Sequence, residues 1–215
     1  MRKHVFMLRR PDGVARDAFG AKLLEAARRL GLIEPVIDLA APPDATAGVP
    51  VAGAAVADAM VSWQAGAGEV LHNTAHALAA GGKIVGGYAV DECVHWDHAP
   101  GTRYAFTMVA CSCRIPGITP AQFVERYRAH AGVARVHHPT IRRYVQWFVT
   151  ATLEGSRPCE AIALLHFNSA EDHALHLYRD EQSRKIVDDD VARFLDRTRV
   201  SVFFATDRIA GTSPQ

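Results

Sequence analysis

The sequence predicts an α+β fold in which two βαββαβ halves pack sheet to sheet and form a single-chain barrel. One observation is that strand and helix signals follow the same order twice along the 215 residues. Another is a repeated spacing, because Gly13 precedes Phe19 at the same distance that Gly117 precedes Phe123. Finally, the strands are apolar on both faces, so a second sheet must cover the face that the helices leave open.

The first half is predicted to span residues 1–100. Its opening strand is apolar and β-prone, and the Pro11-Asp12-Gly13 turn follows it. A helix comes next because apolar residues between Phe19 and Leu30 recur every three or four positions. The predicted elements are strand Lys3–Arg9, helix Arg16–Leu30, strand Pro35–Leu39, a Pro- and Gly-rich loop over Pro42–Gly53, strand Ala57–Gln64, helix Glu69–Ala80 and strand Lys83–Val94.

The second half is predicted to span residues 101–210, and residues 211–215 are predicted to form a frayed tail. Thr119 and Pro120 are typical of an N-cap and a first helical turn, and Pro139 ends that helix. The predicted elements are strand Arg103–Arg114, helix Gln122–Ala131 continuing to about Val136, strands Ile141–Leu153 and Cys159–Phe167, helices Ala170–Tyr178 and Ser183–Asp196, and strand Arg199–Asp207.

Composition excludes several classes of function. The 24 Lys and Arg residues nearly balance the 23 Asp and Glu residues, so a basic nucleic-acid surface is not expected. No apolar run approaches the roughly 20 residues that span a bilayer, so no membrane association is expected. The four cysteines are too few for a disulfide framework, which favours a cytoplasmic location.

Two segments of the second half carry a family resemblance. One runs from Gly117 to His130 (GITPAQFVERYRAH) and continues to Gln146, and the other is VDDDVARFLD from Val187 to Asp196. With these segments, residues 103–210 resemble the EthD family of the dimeric α/β-barrel superfamily, whose members are built on ferredoxin-like halves. The resemblance implies a tandem duplication with a degenerate first half.

The same resemblance implies one competent site in each chain. The first-half positions that match His130 and His166 are Ala26 and Ser62. We therefore expect the site in the second half, over a hollow whose opposite wall the first half supplies. The chain would then be an internal pseudo-dimer, with a further homodimer left open.

His130 is the candidate acid/base. Phe123, Tyr127 and His130 share one helical stripe, so Tyr127 and His130 should point toward the sheet. A buried imidazole in such a place suits proton transfer near neutral pH. The alternative is a core histidine bonded to a backbone carbonyl.

Asp190 lies beside an apolar stripe that includes Phe194. A buried carboxylate needs a donor, and the functional interpretation pairs Asp190 with His130 or with substrate. The alternative is a structural ion pair with Arg142 or Arg143.

The candidate substrate wall comes from two strands. Alternation places Tyr144 and Phe148 on one face of their strand and Trp147 on the other, and one face should line the cavity. His166 is the polar residue of an otherwise apolar strand, so it either faces a pocket or is satisfied locally. The alternative for the aromatic residues is a role in the core.

No metal site is predicted. Three histidine pairs have suitable spacing, but none has a third ligand nearby: His72 and His76, His95 and His98, and His173 and His176. The superfamily includes haem proteins, and His130 or His166 would be the axial ligand in that case.

We therefore expect a cofactor-independent enzyme acting on a small hydrophobic, aromatic or polyketide-like carbonyl compound. Acid/base chemistry by His130, Tyr127 and Asp190 would serve elimination, isomerisation, decarboxylation or oxygenation, and His166, Tyr144, Trp147, Phe148 and Phe194 would contact the substrate. The alternatives are a non-catalytic small-molecule-binding or stress-response barrel, or a haem-binding member of the superfamily.

Overall fold

The computed structural model describes residues 1–46, 56–66, 71–79, 81–155 and 158–210. The predicted tail and parts of the predicted elements Pro42–Gly53 and Glu69–Ala80 lie outside these ranges. The strands are β1 Arg2–Arg9, β2 Ile33–Ala40, β3 Ala59–Gln64, β4 Lys83–Asp97, β5 Phe106–Ser112, β6 Arg143–Glu154, β7 Ala161–Phe167 and β8 Ser201–Ala210. The α-helices are α1 Arg16–Arg29, α2 Leu71–Leu78, α3 Pro120–His137, α4 Ala170–His176 and α5 Glu181–Val191.

The eight strands form a closed antiparallel barrel in the order β1-β3-β2-β8-β5-β7-β6-β4. Within this order each half keeps one pattern, β4-β1-β3-β2 in the first and β8-β5-β7-β6 in the second. The halves join along two seams, where β2 pairs with β8 and β4 pairs with β6. The predicted α+β barrel of two ferredoxin-like halves is confirmed, and the paired edges leave no unpaired edge strand between the halves.

Side chains from both halves fill the barrel interior. The large fully buried members of this core include Tyr88 of the first half and Trp147 and Phe203 of the second. The outer sheet faces are covered by helices, with α1 and α2 on the first half. On the second half, α3 brings Phe123 and Tyr127 onto the outer face of the sheet. Because both sheet faces are buried, the strands are apolar on both sides.

Local sequence fixes the start of α3. Gly117 adopts φ +88°, and its repeat partner Gly13 adopts φ +75°, a left-handed conformation that favours glycine. The Thr119 hydroxyl oxygen accepts a hydrogen bond from the Gln122 backbone N–H, and the Gln122 side-chain oxygen accepts one from the Thr119 backbone N–H, which is a capping box. The repeated glycine turn sets where the first helix of each half begins.

The predicted helix Ser183–Asp196 ends earlier than expected. Helix α5 stops at Val191, and Asp196 instead caps a short 3₁₀ helix, Arg197–Arg199. An Asp favours a cap over a helix interior because its side chain bonds nearby backbone N–H groups. No helix within the described ranges is long and apolar enough to cross a membrane.

Candidate functional site

A cavity of about 360 Å³ lies between the second-half sheet and helices α3 and α5. Small side chains create it, because Ala110 of β5 and Ala163 of β7 face each other across the strand pair. Other apolar side chains complete the walls, among them Met108, Leu165, Val191 and Val202. The volume suits a small apolar molecule.

The amino-terminal half does not supply the opposite wall of this cavity, contrary to expectation. The lining residues all fall between Met108 and Val202. The first half instead closes the barrel, whose interior is packed with side chains. The expectation failed because a closed barrel fills its own interior and leaves the helix-covered outer face as the place for a hollow.

His130 and Asp190 meet at the edge of the cavity, which His130 lines. His130 Nδ1 lies 2.8 Å from an Asp190 carboxylate oxygen, and the side chains are 8% and 25% exposed. Burial lowers the pKa of His130, and the carboxylate opposes that change. At neutral pH we infer a neutral ring that donates Nδ1–H to Asp190 and keeps the lone pair of Nε2 for the cavity.

Tyr127 and Ser112 add hydroxyl groups to the same cavity. Burial is the main reason that the pKa of Tyr127 rises to about 12, so its phenol stays protonated. Ser112 Oγ is buried and makes no hydrogen bond to the described residues, although it is near enough to lower the pKa of the Tyr127 phenol. An unsatisfied buried hydroxyl indicates room for a polar ligand atom. Sequence analysis missed Ser112.

Tyr144 also lines the cavity, and its hydroxyl accepts a hydrogen bond from Gln146 Nε2 at 2.8 Å. Gln146 is fully buried, and its amide also contacts the Tyr127 backbone and His95. Sequence analysis gave Gln146 no role. A buried amide in an aromatic strand was the available signal.

His166 does not line the cavity, which corrects the prediction that it contacts the substrate there. His166 belongs to the row of β7 that faces the barrel interior, with Ile162 and Leu164. Its Nδ1 lies 2.8 Å from Thr107 Oγ1 and its Nε2 lies 3.0 Å from Arg143 Nη1. Alternation separates the two faces of a strand but does not say which face meets the helices.

Trp147 is the second correction among the predicted wall residues. It lies in the barrel interior, where its indole N–H donates to Glu92 at 2.9 Å. Phe148 and Phe194 are on the helix side of the sheet but are not among the residues that line the cavity. Phe194 lies 5.0 Å from the Tyr127 ring and 5.6 Å from the His130 ring between centroids, so it supports both.

The alternative ion pairs for Asp190 are not formed. Arg143 pairs with Asp97 at 3.1 Å, and Arg142 Nε is buried without a hydrogen bond in the described part of the chain. The rim of the cavity carries a separate ion pair, in which Arg197 binds Asp188 at 2.7 Å. Polar groups therefore occupy both the base and the rim of an apolar cavity.

No three His, Cys, Asp or Glu side chains converge on a metal position within the described ranges. The structure describes the backbone of His72 but not its side chain. His173 is buried among Phe106, Phe167 and Phe204, with its Nδ1 unbonded, and burial lowers its pKa to about 4. Its surroundings make it a neutral core residue.

A haem does not fit the residues present. Both ring nitrogens of His166 are in hydrogen bonds, which leaves no lone pair directed at an iron. His130 has one nitrogen directed to the cavity, but a volume of about 360 Å³ is at the small end for ligand sites and suits a two- or three-ring molecule.

Comparison with protein families finds a match to the EthD domain at residues 115–198, and the predicted resemblance is confirmed. The matched segment contains His130, Tyr127, Asp190 and most of the cavity wall. Comparison with curated proteins finds no match.

Solved structures share the fold over the whole chain. An anthrone oxidase-like protein is 12% identical, with a TM-score of 0.58, and covers 99% of this chain and 94% of its own. A candidate monooxygenase from Lactobacillus acidophilus NCFM is 9% identical, with a TM-score of 0.54 and coverage of 99% and 95%. A candidate chlorite dismutase is 11% identical, with a TM-score of 0.51 and the same coverage. Identities this low show a common fold.

Proposed function

We propose that this chain, which carries an EthD domain in its carboxy-terminal half, is an enzyme that removes a proton next to the carbonyl of a small hydrophobic ketone. The observation that carries the proposal is the His130–Asp190 pair at the wall of an apolar cavity that also holds the Tyr127 and Ser112 hydroxyls. A base and two donors in one cavity are what carbanion chemistry next to a carbonyl requires.

In the proposed step, the C–H bond next to the carbonyl breaks and its proton moves to His130 Nε2. The electron pair moves to the carbonyl oxygen, which becomes an enolate. Asp190 stabilises the imidazolium that forms, because its carboxylate already accepts the Nδ1 proton. Tyr127 and Ser112 donate hydrogen bonds to the enolate oxygen, where negative charge develops.

The step needs no metal or cofactor, and none is proposed. The enolate can then be reprotonated, lose a leaving group or carbon dioxide, or react with dioxygen as a second substrate. The anthrone oxidase-like and monooxygenase relatives support the dioxygen route, which would make the enzyme a cofactor-free oxygenase of aromatic or polyketide-like ketones. The proposed partner is thus a small hydrophobic molecule.

The test is exchange of the α-protons of 2-tetralone, a bicyclic aromatic ketone, into deuterated water, followed by proton NMR. We expect catalysed exchange by the wild type and a loss of about 100-fold or more in His130→Gln. The matched control is His176→Gln, an exposed histidine on α4. Wild-type exchange by His130→Gln would remove His130 from the mechanism.

A non-catalytic binding protein would give a different result in the same experiment. It would bind 2-tetralone in the cavity while adding nothing to the rate of exchange in free solution. A haem-binding protein would show Soret absorption after purification, and we expect no such band.

A further inference from the structure

His138 lies at the carboxyl end of α3 and lines the same cavity as His130. It is the C-cap residue of the helix, and it is buried, with only 7% of its surface exposed. The proposed proton transfer uses His130 and gives this second imidazole no part. A buried polar side chain at a cavity wall needs a hydrogen-bond partner, either in the protein or in a ligand.

A contact with the backbone fixes the tautomer of His138. Its Nδ1 lies 2.8 Å from the carbonyl oxygen of Leu177, the residue that caps α4. A carbonyl oxygen can only accept, so Nδ1 carries the proton and donates it. Burial lowers the pKa of His138 to about 4, although the Leu177 hydrogen bond opposes that change. The ring is therefore neutral at pH 7, and its Nε2 keeps a lone pair.

The Nε2 atom of His138 accepts no hydrogen bond from the residues that the structure describes. The ring packs against Tyr178, with centroids 4.9 Å apart, and both residues line the cavity. The two nitrogens of an imidazole point in different directions, so the bond to Leu177 turns Nε2 away from that carbonyl. The lone pair of Nε2 is thus left for a donor in the cavity.

The polar groups of the cavity are spread along α3. Tyr127 and His130 lie one turn apart, and His138 follows His130 by eight residues, which is about 12 Å between Cα atoms at 1.5 Å per residue. The proposed base and the Tyr127 hydroxyl therefore lie at one end of the row and His138 at the other. A ligand whose carbonyl meets Tyr127 places its remote ring toward His138.

We propose that His138 is a substrate-binding residue whose Nε2 accepts a hydrogen bond from a hydroxyl group on the ring remote from the carbonyl. The substrate would then be a hydroxylated aromatic ketone, a class that rests on the proposed function for the position of its carbonyl. A neutral hydroxyl suits this place better than an ammonium group, because the side chains of Leu177, Val187 and Val191 line the cavity and would leave a charge poorly solvated.

The test measures the binding of 2-tetralone, 6-hydroxy-2-tetralone and 6-methoxy-2-tetralone by calorimetry at pH 7. We expect the wild type to bind the hydroxy compound about 3- to 10-fold more tightly than 2-tetralone, which is the effect of one hydrogen bond. The methoxy oxygen can only accept, so the methoxy compound should show no such gain. An equal gain for the methoxy compound would mean that His138 donates, and it would overturn the inference.

His138→Asn removes the cavity acceptor and keeps the bond to the backbone. The amide nitrogen of Asn takes the place of Nδ1 and can still donate to Leu177, whereas no atom takes the place of Nε2. The hydroxyl preference, which is the ratio of the two affinities in one protein, should fall to less than about 2-fold. The matched control is His176→Asn at an exposed position on α4, which should keep the full preference.

Tetralin has the ring skeleton of 2-tetralone without the ketone, and its affinity reports whether the apolar cavity is intact in each variant. If His138→Asn does not fold or does not bind tetralin, His138→Phe replaces it. The phenyl ring occupies the volume of the imidazole and also has no acceptor, so the hydroxyl preference should be lost in the same way.

A hydroxyl preference that persists in the His138 variant, or that is absent from the wild type, would overturn the inference. The binding readout does not depend on turnover. Wild-type protein that prefers 6-hydroxy-2-tetralone but does not exchange α-protons would refute the proposed function and leave the hydroxyl contact of His138 standing. Exchange without a hydroxyl preference would refute the role of His138 alone.

Discussion

His173 should make the protein sensitive to mild acid, and His173→Leu should relieve that sensitivity. The imidazole is 8% exposed, lies among three phenylalanine rings and has an unbonded Nδ1, so its protonated form is poorly solvated. Burial lowers its pKa to about 4. In the unfolded chain the pKa of His173 is near 6.5. The free energy of unfolding is therefore unaffected by this residue above that pH and falls as the pH drops toward the pKa of the folded state.

The size of the effect follows from those two pKa values. A difference of about 2.5 between the folded and unfolded pKa values, at 1.36 kcal/mol per unit, lowers the free energy of unfolding by about 3.4 kcal/mol in full. About 2 kcal/mol of this loss falls between pH 7 and pH 5. With an m value of about 2–3 kcal/mol/M, that loss moves the urea midpoint by about 0.7–1 M.

The assay is urea unfolding of wild type and His173→Leu at pH 7 and pH 5, followed by circular dichroism. Between pH 7 and pH 5, the urea midpoint of His173→Leu should fall by about 0.7–1 M less than the urea midpoint of the wild type. Buried His138, whose pKa burial also lowers to about 4, stays in both proteins and accounts for a remaining loss. His176→Leu on the same helix is the control, and an equal pH dependence in His173→Leu would refute the argument.

Two further results are expected from the candidate site. Asp190→Asn should lower the exchange rate of 2-tetralone by about 10-fold or more without a matching change in its affinity, because the carboxylate stabilises the imidazolium that forms during the step. Exchange kinetics would give the rate and calorimetry the affinity, and an unchanged exchange rate would show that Asp190 is only structural. Ala163→Leu should fill the cavity and weaken the binding of both 2-tetralone and tetralin by about 10-fold or more, while the His130–Asp190 pair remains. Wild-type affinity in this variant would show that the ligand binds elsewhere.

Much of the fold follows from local sequence signals. The Thr119 cap, the Gly13 and Gly117 turns and the repeated element order each act over a few residues, and they predicted two ferredoxin-like halves. The pairing of β2 with β8 and of β4 with β6 could not be derived in the same way. The edge strands of two sheets carry the same apolar alternation whether the sheets stack face to face or pair edge to edge. Periodicity therefore does not distinguish a sandwich from a closed barrel.

The site was predictable where helical spacing decided it. The stripe from Phe123 to His130 aims His130 at the sheet, and the need of Asp190 for a donor suggested their pairing. His166 and Trp147, predicted to contact the substrate, do not line the cavity. The sequence left open which face of each strand lines it, because strands buried on both faces give no signal for which face meets the helices. Ser112 was missed because a single serine in an apolar strand is usually satisfied locally, and only packing shows that it is not.

The pH dependence of 2-tetralone exchange, measured as kcat/KM in the wild type, tests the central claim most directly. His130 must be neutral to accept a proton, and burial lowers its pKa, so the rate should rise with pH to a plateau, with a midpoint below the ordinary histidine value of about 6.5. Because the pKa of Tyr127 is about 12, the plateau should persist to at least about pH 9. A midpoint above the ordinary histidine value of about 6.5, or a rate that falls before about pH 9, would contradict a neutral His130 base working with a protonated Tyr127 donor.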